Sequence, residues 1–152
     1  MAWITPKTDW APSNTVADSD FNRIEGNTDY LSKLVTISGA IPDTSITASS
    51  DVEFYRIRIT VDTGKTLKVK RVSYYIAAAN ASLRLKILIN YSGNTPWQSS
   101  SYSGDDTPNA SLWTNPGGGP NVMELQVRVV NTSSGDPISC GNSGFTAILI
   151  AE

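Results

Sequence analysis

The chain has 152 residues and not one histidine. That removes the commonest general base, the Ser-His-Asp and Cys-His routes to an activated nucleophile, and the His-based zinc motifs. A single cysteine, Cys140, forbids an internal disulfide and reads as a small buried apolar side chain. Charge is scarce as well. Only 17% of residues are Asp, Glu, Lys or Arg, against roughly 25% in ordinary soluble domains. A net charge of −2 and a pI near 5.1 leave no basic face for phosphate backbones, so nucleic acid is not an expected partner. Lys65, Lys68, Lys70 and Arg71 do cluster, but on alternating strand positions they read as a solvated face.

No apolar run approaches the ~20 residues needed to cross a bilayer, so membrane insertion is not expected. The start lacks the basic segment and apolar run of a secretory signal. The Asn-x-Ser/Thr triplets at Asn80, Asn90, Asn109 and Asn131 therefore read as chance in a chain rich in Asn and Ser. No Walker loop or dinucleotide fingerprint is present, and Gly117-Gly118-Gly119 lies outside any strand–helix context. Asp105, Asp106 and Asp136 are the carboxylates that invite a hydrolytic or calcium reading. Glycoside cleavage needs two carboxylates held about 5–9 Å apart across a bond, and calcium takes six or more oxygens. Neighbours on one loop suit neither. The expectation is a protein that is not an enzyme, with no cofactor and no metal.

What is present begins with an arm. Pro6 and Pro12 fix φ, remove donors and push Thr5 and Ala11 into extended geometry. Trp3 and Trp10 ride on that arm. A large apolar ring on an extended segment suits a pocket on a neighbouring subunit, and equally an arm folded back on its own domain. A short helix follows. Asp18, Ser19 and Asp20 crowd its start, where oxygens accept from orphan amides and negative charge suits the dipole. Phe21, Ile24, Thr28, Leu31 and Leu34 recur at helical spacing as one stripe. Such a stripe is too short to be stable alone and must pack on something.

The strings WITPKTDW and DFNRIEGNTDYL, joined by a short spacer, carry a resemblance. They are similar to the opening of many small structural proteins of tailed bacteriophages, which run W-x-T-P-K-T-D-W, a spacer, then D-x-N-R-I-E-x-N and an apolar pair. The match covers roughly the first 34 positions. It implies a virion component, assembled in the host bacterial cytoplasm, whose N-terminal segment mounts it on tail, baseplate, fibre or head. Its partners would be other virion proteins. No catalytic motif comes with it. On this reading Trp3, Trp10, Phe21 and Ile24 fill apolar pockets, while Arg23 and Glu25, off the stripe, set orientation by charge.

Past Leu34 the period changes from helical to two. Residues 1–37 read as the anchor, 38–52, with Pro42 and many turn residues, as a linker, and 53–152 as the body. Tyr55, Ile57, Ile59 and Val61 alternate with Arg56, Arg58 and Thr60, a half-buried strand. Gly64 is free to take positive φ in the turn that follows. The next strand runs on Leu67 and Val69, then on Val72, Tyr74 and Ile76. That slip in parity predicts a β-bulge at Lys70-Arg71, or a strand that changes sheets there. Leu83 to Tyr91 and Met123 to Val129 alternate cleanly, and 144–150 closes the body with an apolar strand. The architecture expected is mostly β: an N-terminal arm and short α-helix, then an antiparallel, jelly-roll-like β-sandwich.

Residues 92–121 interrupt this pattern as a long loop, with room for a short strand around Trp97–Tyr102 or around Ser111–Trp113, and loops of this length are usually functional or mobile. Trp97, Tyr102 and Trp113, interleaved with Gln98, Asp105, Asp106 and Asn109, offer flat rings beside hydrogen-bonding groups, as sugar recognition needs. The alternative is that these rings pin the loop to the sandwich or pack between identical subunits. Three functions stay open: a virion structural protein, a homo-oligomer and by symmetry a trimer; the same protein binding a host-surface glycan through 92–121; or an unrelated carbohydrate-binding or adhesion module.

Overall fold

The computed structural model describes residues 4–5, 22, 25, 27–28, 30–31, 33–77, 82–90 and 94–152. The chain divides into two compact units, Met1–Leu34 and Val35–Glu152. In the first, the described positions Asn22, Glu25, Asn27, Thr28, Tyr30 and Leu31 have helical backbone. The apolar stripe does not run on to Leu34, because that residue opens the first strand.

The second unit is built almost entirely of strands. In chain order they are β1 (Leu34–Ile41), β2 (Ser45–Ile46), β3 (Ser50–Val61) and β4 (Thr66–Tyr75). Then come β5 (Leu83–Ile89), β6 (Trp97–Gln98), β7 (Ser103–Asp106) and β8 (Ala110–Thr114). β9 (Asn121–Asn131), β10 (Ile138–Ser139) and β11 (Ser143–Ala151) complete the body. One sheet runs β1-β11-β4, with β7 and β8 lying end to end along the far side of β4. The other runs β3-β9-β5-β6, and β2 with β10 makes a small third ladder.

The pairs are nested. β5 joins β6, β4 joins β7 and β8, β3 joins β9, and β1 joins β11. The chain is thus one long antiparallel ribbon, with its tip at β5–β6, rolled so that alternate rungs fall in opposite sheets. That is the wiring of a jelly roll. Inward residues of both sheets form one core. Leu67, Val69, Val72, Phe145, Ala147 and Leu149 come from the first sheet, and Leu85, Ile87, Leu125, Val127 and Val129 from the second.

The alternation read from the sequence is realised in β3, β5 and β9. The bulge is realised too: Ile148 lies opposite Arg71 but Leu149 opposite Val69, so Lys70 is the extra residue. Gly64 takes φ of 74° in its turn. Gly39 serves a different end, since a Cβ there would stand 3.0 Å from the Phe145 ring.

Two expectations need correction. Residues 38–52 are not a linker: β1, β2 and the start of β3 occupy most of that stretch, and Ile41 and Ile46 are core residues. Their apolar residues are too widely spaced among Ser, Thr and Asp to show a period of two. Nor is 92–121 mainly a loop, although the short strands expected around Trp97 and around Ser111–Trp113 are there as β6 and β8. From Trp97 to Thr114 it supplies β6 to the second sheet and β7 and β8 to the first, closing one side of the sandwich.

Candidate binding surfaces

In the first unit the side-chain amide of Asn27 grips the backbone of Ile4 at both ends. The Ile4 N–H donates to Asn27 Oδ1 at 2.9 Å, and Asn27 Nδ2 donates to the Ile4 carbonyl at 2.8 Å. Asn27 is buried, at 9% exposure, while the Ile4 and Leu31 side chains are half exposed. Of the residues expected to mount the protein, Glu25 has helical backbone and is exposed. Trp3, Trp10, Phe21, Arg23 and Ile24 lie outside the described residues. Nothing in the helical spacing singled out Asn27. Its only signal was its place as the last residue of the DFNRIEGN string.

In the second unit the residues expected to meet a sugar go mostly inward. Trp113 is 6% exposed and belongs to the core, so it has no free face for a pyranose. Trp97 and Tyr102 are half-buried against that core, and the Trp97 ring stands edge-on to Tyr74 at 6.1 Å. Asp106 accepts from the Tyr74 hydroxyl at 3.2 Å. The 94–114 run is pinned further by backbone and hydroxyl bonds: Ser99 N–H to the Leu85 carbonyl, Leu85 N–H to Ser99 Oγ, and Thr95 N–H to the Leu112 carbonyl. These aromatics hold the side of the sandwich shut, and Trp97, Tyr102, Asp106 and Trp113 do not form an exposed platform.

Asp105 is the exception, half exposed on the outer face of the first sheet. Arg71 Nε donates to its Oδ1 at 2.8 Å, a second Arg71 nitrogen to Oδ2, and Ser73 Oγ to Oδ1 at 2.9 Å. The Arg71 hydrogen bond, helped by Ser73, holds the Asp105 carboxyl down to about 2. A carboxylate with a depressed folded value adds stability that is present above its unfolded value and is lost as pH falls through about 2. Both partners are more than half exposed, so solvent screens most of it. An NMR titration should therefore place the Asp105 midpoint near 2. Arg71→Gln should return it to the ordinary aspartate range, and a midpoint that stays put would show that Ser73 and the backbone, not Arg71, set it.

Beside this pair lies an open depression of about 700 Å3, lined by small side chains such as Ser38, Ala40, Ser73 and Thr146 with Tyr75 on its rim. The neighbouring basic residues are neutralised locally: Lys68 and Lys70 both donate to Glu152, at 2.9 and 3.1 Å. Those bonds, the Lys68 one first, lower the Glu152 carboxyl. Within the run Lys65–Arg71, Lys68 and Lys70 thus share one carboxylate and Arg71 pairs with Asp105. The outer face of the second sheet carries a further network, Arg56 with Glu53 and Glu124, and Asp51 with Lys86 and Arg128. Cys140 is buried, its thiol pushed up by burial. Among the described residues no group of three or more Cys, Asp or Glu is placed to hold a metal ion, and no helix is long and apolar enough to cross a membrane.

No protein-family model matches the chain, and no curated protein sequence does. Among solved structures it is similar to the VP2 subviral particle of infectious bursal disease virus, at 18% identity and a TM-score of 0.49, over 78% of this chain and 32% of that one. It is also similar to FlhE, at 11% identity and a TM-score of 0.45, over 78% of this chain and 98% of that one. VP2 of the Gt strain gives 16% identity and 0.43, over 78% and 33%. This chain thus spans about a third of the VP2 chains it matches. At these scores the likeness carries no argument about function.

Proposed function

We propose that this protein is a structural component of a bacteriophage virion, mounted on the particle by its N-terminal unit and presenting the β-sandwich outward, with no catalytic role. One observation carries this. The stretch that resembles the openings of phage structural proteins ends near position 34, and the first compact unit ends at Leu34. A sequence string and a structural unit that coincide suggest a module with its own task. The protein's neighbours on the particle would be other virion proteins, and copies of the chain would assemble as a homo-oligomer, a trimer by the symmetry common to such appendages.

The test is incorporation. Full-length protein and a chain beginning at Val35 are each supplied to assembling particles, and purified virions are assayed for the protein. We expect the shorter chain to fold, to show the same thermal unfolding for the sandwich, and to be missing from virions. Equal incorporation of both chains would defeat the mounting reading. Light scattering on the same two chains reports the oligomer: a monomer in both cases would remove the trimer.

A further inference from the structure

We infer that Asn27 is the positioning residue of the N-terminal unit: it clasps the arm at Ile4 so that the two halves of the phage-like string act as one rigid mounting piece. This rests on the mounting function proposed above. The side-chain amide of Asn is chemically a peptide group, offering one carbonyl and one NH2. Asn27 uses both on a single residue, accepting from the Ile4 N–H at 2.9 Å and donating to the Ile4 carbonyl at 2.8 Å. That is the pair of bonds a neighbouring strand would make.

The clasp joins residues 23 positions apart, one in WITPKTDW and the other closing DFNRIEGN. Because Asn27 is buried, an amide left without Ile4 would lose its partners out of reach of water, which makes the closed form the favoured one. The Ile4 and Leu31 side chains stay half exposed while this happens, at 49% and 53%. Leu31 follows Asn27 by one helical turn and so shares its side of the helix. The clasp thus fixes where the arm's apolar side chain sits relative to the helix before any partner arrives. A mount arranged in advance loses less conformational freedom on docking than a loose arm.

Only an Asn-like group with one acceptor and one donor makes both bonds. Asn27→Ala removes both. Asn27→Asp keeps the shape but, when ionised, turns a lone pair on the Ile4 carbonyl. The ionised carboxyl still accepts from the Ile4 N–H, but only protonation restores the O–H that donates to the Ile4 carbonyl. Both bonds therefore form in the neutral form alone, and burial with carbonyl repulsion raises the folded value of the carboxyl. The clasp in this variant is present below the unfolded value, about 3.9, and is lost as pH rises through the higher folded one.

The full-length chain carrying each substitution is tested in three ways. For Asn27→Ala we expect the Ile4 amide to lose about tenfold of its protection from hydrogen exchange, incorporation into virions to fall, and the thermal unfolding of the sandwich to stay as it was. Asn27→Asp should move the Ile4 amide signal at neutral pH, where the donor to the Ile4 carbonyl is lost, and return it to the native position in acid. A purely structural role for residue 27 would not give that recovery. An Ile4 amide unmoved by either substitution overturns the clasp. A moved amide with normal incorporation overturns its role in mounting. If the chain lacking residues 1–34 incorporates normally, the mounting function itself falls; if that chain fails and Asn27→Ala succeeds, only the role of Asn27 falls.

Discussion

Leu125→Ala is expected to cost the sandwich about 3–4 kcal/mol, a loss in the middle of the range for large-to-small core changes. Leu125 is fully buried. It sits on β9, between β3 and β5, opposite Ile57 on one side and Ile89 on the other. Ladders on both flanks hold the backbone in place, so the walls of the new cavity cannot close. The same strand supplies the control. Val122, 63% exposed, should change stability by less than about 0.5 kcal/mol when truncated. Denaturant unfolding of the two variants measures both. A Leu125 effect below about 1 kcal/mol would mean the two sheets slide together, contrary to a core fixed by a rolled ribbon.

Asn115 should matter nearly as much, although it contributes nothing apolar. Its side chain is completely buried and makes four hydrogen bonds. Nδ2 donates to the carbonyls of Val61 and Gly119, both at 2.9 Å, while Oδ1 accepts from Gly117 N–H at 3.1 Å and Asn121 Nδ2 at 3.0 Å. Its backbone joins the β3–β4 turn, accepting from Gly64 and donating to Lys65. The glycine run at 117–119, where all three residues have positive φ, is therefore wrapped around one amide. Asn115→Ala strands these groups, some of them away from water, and should cost about 3 kcal/mol. Asn115→Asp is the sharper test. It keeps the volume but sets a carboxylate against two carbonyls, so it should cost at least as much. If Asn115→Asp is tolerated, the amide donors contribute little and the loop is held by its backbone alone.

Asn115 also shows where reading the sequence stops. The strands with a buried and a solvated face were legible, because a period of two records that asymmetry directly. The bulge at Lys70 was legible for the same reason, as a slip in that period. β1 and β2 were not: Ile37, Ile41 and Ile46 are spaced too far apart among turn-forming residues. Strands around Trp97 and around Ser111–Trp113 were legible only as candidates, because β6 to β8 are short, and β7 is polar and takes its strand character from the edge of β4 that it pairs with. Trp97 and Trp113 were ambiguous, since a ring that closes a sandwich and a ring that holds a sugar look alike in one dimension. Asn27, Asn115 and Asn131 were invisible as a class. Each earns its position by bonds to backbone far away or around a turn, as when Asn131 donates to the Ile46 carbonyl, and no local pattern encodes that.

The nested pairing has a consequence in time. Lys86 meets Gln98 across a short gap, whereas Ser50 meets Asn131 only after most of the body has been gathered between them. Closing the distant pairs first would forfeit more chain entropy than their contacts return. The ribbon should therefore zip outward from β5–β6, through β4 with β7 and β8, then β3 with β9, and finish with β1 on β11. A body dominated by such distant pairings folds slowly. Until the last rung closes, the outer edge of β11 is open to a strand from another chain.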